Sequence, residues 1–165
     1  MRIVVMGPSG SGKSLVGAAL AARLGARFTD GDDLHPKANI AKMRAGVPLE
    51  DADREPWLDA VAHTLVRTAP SVVACSALRR SYRDRIRQTC VDAWFVELVV
   101  PATDLHERMS RRDHFMPPAL LASQLELLEP LATDEAGMRI DGTGALEGLV
   151  ARVAAVRSVR TNQSL

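Results

Sequence analysis

The chain has 165 residues, enough for one domain with a substantial core, and 47% of them are hydrophobic. Charged residues make up 25% and the formal net charge is +1, so no global field favours nucleic acid or a membrane surface. Aromatics reach only 4%, which leaves few platforms for base stacking, and two cysteines, Cys75 and Cys90, are too few for a disulfide framework and fit a reduced, cytoplasmic setting.

Strand and helix signals alternate along the whole chain. The apolar run at 3–6 ends at Gly7 and predicts a buried strand; it is too short for a signal peptide. Leu15, Ala18, Ala19 and Ala22 recur at helical spacing over 14–24, and Gly25 ends that helix. Residues 27–30 predict a second strand and 36–45 a short helix. A longer helix is expected to begin near Pro56, because proline suits a first helical turn. Trp57, Val61 and Leu65 share one face of it, and Trp57 reads as core. Strands follow at 72–75 and 94–100, with a polar helix at 80–89 between them. Helical patterns cover 102–111 and 120–128, interrupted by Pro117-Pro118. A last strand at 138–141 precedes a closing amphipathic helix, and the polar tail from 158 reads as frayed. No segment approaches the length of a membrane span. Alternating strands and helices predict an α/β fold, a parallel sheet with helices on both faces, in a single domain over 1–165. Ligands of such sheets bind beyond the carboxyl ends of the strands.

The strongest motif is Gly7-Pro8-Ser9-Gly10-Ser11-Gly12-Lys13-Ser14, which matches G-x-x-x-x-G-K-S/T at every fixed position, with a strand before it and a helix after. Glycines let successive N–H groups turn inward onto phosphate oxygens, and the following helix adds the positive end of its dipole. Lys13 places a cation on the β and γ phosphates of ATP, and Ser14 offers a hydroxyl to Mg²⁺. The strands at 72–75 and 94–100 lack the terminal aspartate that supports the metal in many P-loop ATPases, and no Asn-Lys-x-Asp guanine reader is present. The second strand does end in acid, at Asp30-Gly31-Asp32-Asp33. Asp32 is the candidate catalytic base and Asp30 the candidate metal support. The competing reading of that string is a solvated turn that caps the next helix.

At these positions the sequence resembles the ATP-dependent gluconokinases. The resemblance rests on Asp30-Gly31-Asp32-Asp33-Leu34-His35-Pro36, Asn39, Lys42-Met43, Asp53-Arg54 and Pro56-Trp57. It continues in Cys75-Ser76-Ala77-Leu78-Arg79-Arg80, His114-Phe115-Met116-Pro117, Ser123-Gln124 and Leu128-Glu129-Pro130. It implies a P-loop kinase-type sandwich with a helical lid at about 108–122. It also implies transfer of the ATP γ-phosphate to the 6-hydroxyl of D-gluconate, and a homodimer, as is common among relatives. Asp113 stands where the family carries Gly, the segment from Arg108 to His114 is one residue short, and Leu125 replaces a Phe. An anionic polyol needs cations and hydrogen-bonding groups, and Arg54, Arg79, His35 and His114 stand in matched segments. Arg108, Arg111 and Arg112 fall in the lid, where one of them could stabilise charge on the transferring phosphoryl group. Two rivals stay open: another small-molecule kinase of the shikimate type, and a nucleotide-binding regulator without catalysis.

Overall fold

In the computed structural model, which describes residues 1–111 and 119–162, period-two burial shapes the centre of the molecule. Strand β1 (Arg2–Met6) sends Val4 and Met6 to one side and Ile3 and Val5 to the other, all four fully buried. A strand covered on both faces needs such a continuous apolar run. The remaining strands are β2 (Arg27–Asp30), β3 (Ser71–Ala74), β4 (Trp94–Val99) and β5 (Gly137–Asp141), and the sheet is fully parallel in the order β2-β3-β1-β4-β5.

Helices α1 (Lys13–Leu24) and α7 (Leu146–Asn162) cover one face through Val16, Leu20, Leu149 and Val153. Helices α3 (Asp51–Arg67) and α4 (Arg80–Thr89) cover the other through Trp57, Val61, Leu65 and Ile86. Helix α2 (Lys37–Arg44) precedes α3, while α5 (Ala102–Ser110) and α6 (Ala119–Leu127) flank the residues of the expected lid. The order of β1, with β3 on one side and β4 on the other, puts the phosphate loop at the topological switch point of the sheet.

Beyond shifts of a residue at several ends, the structure changes or refines the expected elements in these places. Helix α3 starts at Asp51, five residues before Pro56, because Glu50 and Asp53 form a reciprocal capping box there. The Asp53 carboxylate accepts from the Glu50 amide at 2.9 Å. Pro56 therefore lies inside the helix, where it lacks one backbone donor. The acidic string after β2 is a 3-10 turn, Gly31–Leu34, with Asp30 as its cap: the Asp30 carboxylate accepts from the Asp32 amide at 3.1 Å. The backbone of α7 stays helical through Asn162, past the expected fraying point at 158; its glycine, Gly148, lies in the first turn, and no residue from Leu149 onward breaks the helix.

Candidate active site

The phosphate loop joins β1 to α1 and needs glycine for two reasons. Gly10 has φ 81°, in the left-handed region, and a Cβ there would crowd the Leu105 carbonyl at 3.3 Å. The loop thus packs directly on α5. Arg108 of α5 donates to the carbonyls of Gly10 (3.3 Å) and Ser11 (3.5 Å), and to that of Gly142 (3.5 Å). Arg111 instead pairs with Glu107 at 2.5 Å on the surface. Of the three arginines in the expected lid, Arg108 is the one the fold brings to the phosphate loop among the described residues. Arg112 and His114 lie outside them.

The acid turn reaches the same region by a close backbone approach. A Cβ on Gly31 would stand 2.4 Å from the Ala74 carbonyl, so only glycine lets the turn sit on the end of β3. The Trp57 indole N–H donates to the Gly31 carbonyl at 2.7 Å and ties the turn to α3. Strand β3 lies between β2 and β1, so Asp30 stands one strand removed from the root of the phosphate loop. The charges of Asp32, Lys13 and Asp30 all act on Cys75, the residue just past the end of β3. Burial pushes the Cys75 thiol up to about 12, so it is an inert core residue and no nucleophile.

Ser9, Lys13, Asp32, His35, Arg54 and Gln124 line one cleft. Lys13 is nearly buried, at 8% exposure. Arg54 donates to the Leu49 carbonyl, and its guanidinium lies 5.5 Å from the centre of the Tyr82 ring. It is the second cation of the cleft after Lys13 among the described lining residues. Arg79 lies outside this lining: it bonds Asp51 at 3.3 Å on the rim. The fold therefore gathers Lys13, Asp32, His35 and Arg54 together and leaves Arg79 in a surface ion pair. Trp57 is both core and wall, only 1% exposed, with its ring stacked on His35 at 4.2 Å.

Several contributors escaped the sequence reading. Gln124 of α6 accepts from the Ser9 amide at 2.7 Å, bridging α6 to the phosphate loop. Its only sequence signal was the Ser-Gln pair within the family-like segment. Ser76 and Leu78 line the cleft from the loop after β3. That loop is braced from behind by Arg83, which donates to the Ala77 and Leu78 carbonyls at 3.2 and 3.3 Å. Leu125, where the resemblance leads one to expect Phe, packs against Leu105, Met109 and Leu121, in the contact between α5 and α6.

A divalent cation fits the donors present. Ser14 and Asp30 supply hard oxygen, and no cluster of three His, Cys, Asp or Glu side chains suited to a metal occurs among the described residues. Mg²⁺ is commonly held by one or two protein oxygens together with phosphates and water, which needs no all-protein cage.

A phosphate loop at the switch point, with an acid turn and an arginine lining the same cleft, defines a small-molecule kinase of the P-loop class. The shikimate kinase family profile matches residues 9–138. A gluconokinase from Gluconobacter oxydans (strain 621H) is 47% identical over 146 residues, covering 85% of this chain and 82% of the relative. The chain belongs to the gluconokinase family. The thermosensitive gluconokinase of Escherichia coli (strain K12) is 46% identical over 84% of this chain and 77% of that protein. The crystal structure of a gluconokinase from Sinorhizobium meliloti 1021 superposes with a TM-score of 0.88 at 44% identity, over 99% of this chain and 95% of that one.

Proposed function

We propose that this protein is an ATP-dependent gluconokinase. It transfers the γ-phosphate of ATP to the 6-hydroxyl of D-gluconate, giving 6-phosphogluconate and ADP. The observation that carries this reading is one cleft lined by Ser9 and Lys13 of the phosphate loop together with Asp32, His35 and Arg54. It juxtaposes a phosphate donor site with a pocket suited to an anionic, hydroxyl-rich acceptor. The close gluconokinase relatives name the acceptor.

Each role follows from chemistry. The amides of residues 7–14 and the Lys13 ammonium hold the β and γ phosphates. Asp32 accepts the proton of the attacking hydroxyl and aims its oxygen at the γ-phosphorus. Arg54 pairs with the gluconate carboxylate, with the directionality of a charge-assisted contact. His35 contacts the polyol chain, and Arg79 stands at the mouth of the site, able to exchange Asp51 for an incoming carboxylate. Arg108 stabilises charge on the transferring phosphoryl group. His114, Arg111 and Arg112 belong to the same proposed lid. Ser14 and Asp30 would hold Mg²⁺, which neutralises phosphate charge. The protein acts as a single kinase domain over residues 1–165, in the cytoplasm, as a homodimer. No helix among the described residues is long and apolar enough to cross a membrane.

A coupled assay with gluconate and ATP, read as 6-phosphogluconate formed, tests the reading. Turnover of shikimate or another acid with none of gluconate would transfer the assignment to the broader shikimate kinase type. Tight ATP binding with no acceptor phosphorylated would support a regulator.

A further inference from the structure

His35 is held by Trp57 against its ring face and by Asn39 at Nδ1. Its ring lies 4.2 Å from that of Trp57, with only 13° between the planes. Its Nδ1 stands 3.3 Å from the Asn39 amide nitrogen, which also donates to the Asp53 carbonyl at 2.8 Å. Asn39 is itself buried, at 3% exposure.

These contacts decide the proton inventory of the ring. A backbone carbonyl can only accept, so the Asn39 atom facing Asp53 must be the NH₂ group and not the oxygen. That same NH₂ can only donate to His35. Nδ1 must therefore be the unprotonated nitrogen, and in the neutral ring the proton sits on Nε2. Nε2 has no protein hydrogen-bond partner among the described residues, and His35 lines the cleft.

Charge points the same way. The charged groups around the ring are Arg54 from α3, Asp32 from the 3-10 turn and Lys13 from α1, all lining the same cleft, with the Lys42–Asp53 ion pair beyond Asn39. Burial, followed by the nearby Arg54 guanidinium, holds the ring's pKa at about 4. The ring is neutral at physiological pH and cannot serve as a cation for the acid end of a substrate. With its one free position already protonated, it cannot serve as the base either. What remains is a rigid neutral N–H.

We propose that His35 is a fixed-tautomer hydrogen-bond donor that reads one hydroxyl oxygen of the phosphoryl acceptor, and that Asn39 is the positioning residue that sets its tautomer. This rests on the gluconokinase reading for the acceptor's polyol character. A donor aimed at one hydroxyl oxygen discriminates by position along the polyol chain, a selectivity that Arg54, assigned to the carboxylate, does not supply.

The test compares kcat/KM for gluconate and for monodeoxy gluconates that keep the 6-hydroxyl. The wild-type enzyme is expected to lose about 10- to 100-fold on one analogue, the range of a single lost hydrogen bond to a buried partner. His35→Phe, which keeps the stack on Trp57, should lose a similar factor on gluconate through KM and no longer distinguish that analogue. Unchanged gluconate KM in His35→Phe, or retained discrimination, overturns the proposal. A long-range ¹H–¹⁵N spectrum, with His35 assigned by its absence in His35→Phe, should show a neutral Nε2–H ring from pH 5.5 to 8. An Nδ1–H or imidazolium ring at pH 7 overturns it independently of any substrate. Asn39→Ala should mix the tautomers in the same spectrum, and an unchanged Nε2–H preference removes the role of Asn39. If the wild-type protein turns over no gluconate at all, the substrate reading fails while the spectrum still decides the tautomer.

Discussion

Replacing Glu135 with glutamine probes the brace behind the acceptor pocket. The Glu135 side chain is 1% exposed and accepts from Arg83 through two bonds, Nε at 2.8 Å and the terminal nitrogen at 2.7 Å. Arg87 adds a bond at 2.9 Å and the Ala132 amide one at 3.1 Å. Burial alone would raise the Glu135 pKa, but the bonds from Arg83, Ala132 and Arg87 outweigh it and carry it from an ordinary 4.5 down to about 2. Such a depression corresponds to about 3 kcal/mol of folded-state preference for the carboxylate. Because the folded-state pKa is lowered, that stability is complete above the unfolded value and is lost as pH falls from about 4.5 towards 2. Glu135→Gln keeps the shape and removes the charge, leaving two buried or half-buried arginines against a neutral amide. Urea unfolding at pH 7 should show a loss of about 3 kcal/mol, the lower part of the range for breaking a buried pair. The gap between variant and wild type should narrow by about 1 to 1.5 kcal/mol by about pH 3.5. A loss below about 1 kcal/mol at pH 7, or a gap that does not change with pH, would refute the reasoning. Arg83 also holds the Ala77 and Leu78 carbonyls, so the gluconate KM of this variant should rise more than its ATP KM.

Three further outcomes follow from the cleft. Asp32→Asn should lower kcat by about 10²- to 10⁴-fold with ATP affinity retained, read by steady-state kinetics and calorimetry; near-normal turnover removes Asp32 from the proton-transfer role. Arg54→Ala should raise the gluconate KM by about 10- to 100-fold, while Arg79→Ala, which breaks a rim ion pair, should change it by less than about 5-fold. Arg108→Ala should lower kcat by at least about 10-fold, and Arg111→Ala, an exposed residue paired with Glu107, should leave it within about 2-fold; equal effects from both would defeat the distinction.

Much of this site was legible along the chain because local rules set it. The phosphate loop is contiguous, so its eight residues carry their own geometry. The Asp-Gly-Asp-Asp string was legible as an acidic turn, but not what it caps: Asp30 caps the 3-10 turn itself, Pro36 stands at the cap of α2, and Asp32 lines the cleft. The start of α3 was misread because a proline signals a first turn more loudly than a Glu50–Asp53 capping box does. Trp57 looked like core, and it is, but no pattern along one helix could show that its ring also carries His35. Gln124 and Ser9 are 115 residues apart, and nothing local links them.

By itself the sequence determined the phosphate loop, the alternation of strand and helix, and the family resemblance, since each is written in contiguous residues or short periods. Only the tertiary structure decided which of the arginines 108 and 111 meets the phosphate loop, which of the arginines 54 and 79 enters the cleft, and which nitrogen of His35 carries the proton. Those choices depend on partners brought together from distant elements: a carbonyl of the loop, a rim aspartate, a backbone oxygen of α3 behind Asn39. Hydrogen bonds act over about 3 Å, so their selection waits on the packing that sets such distances.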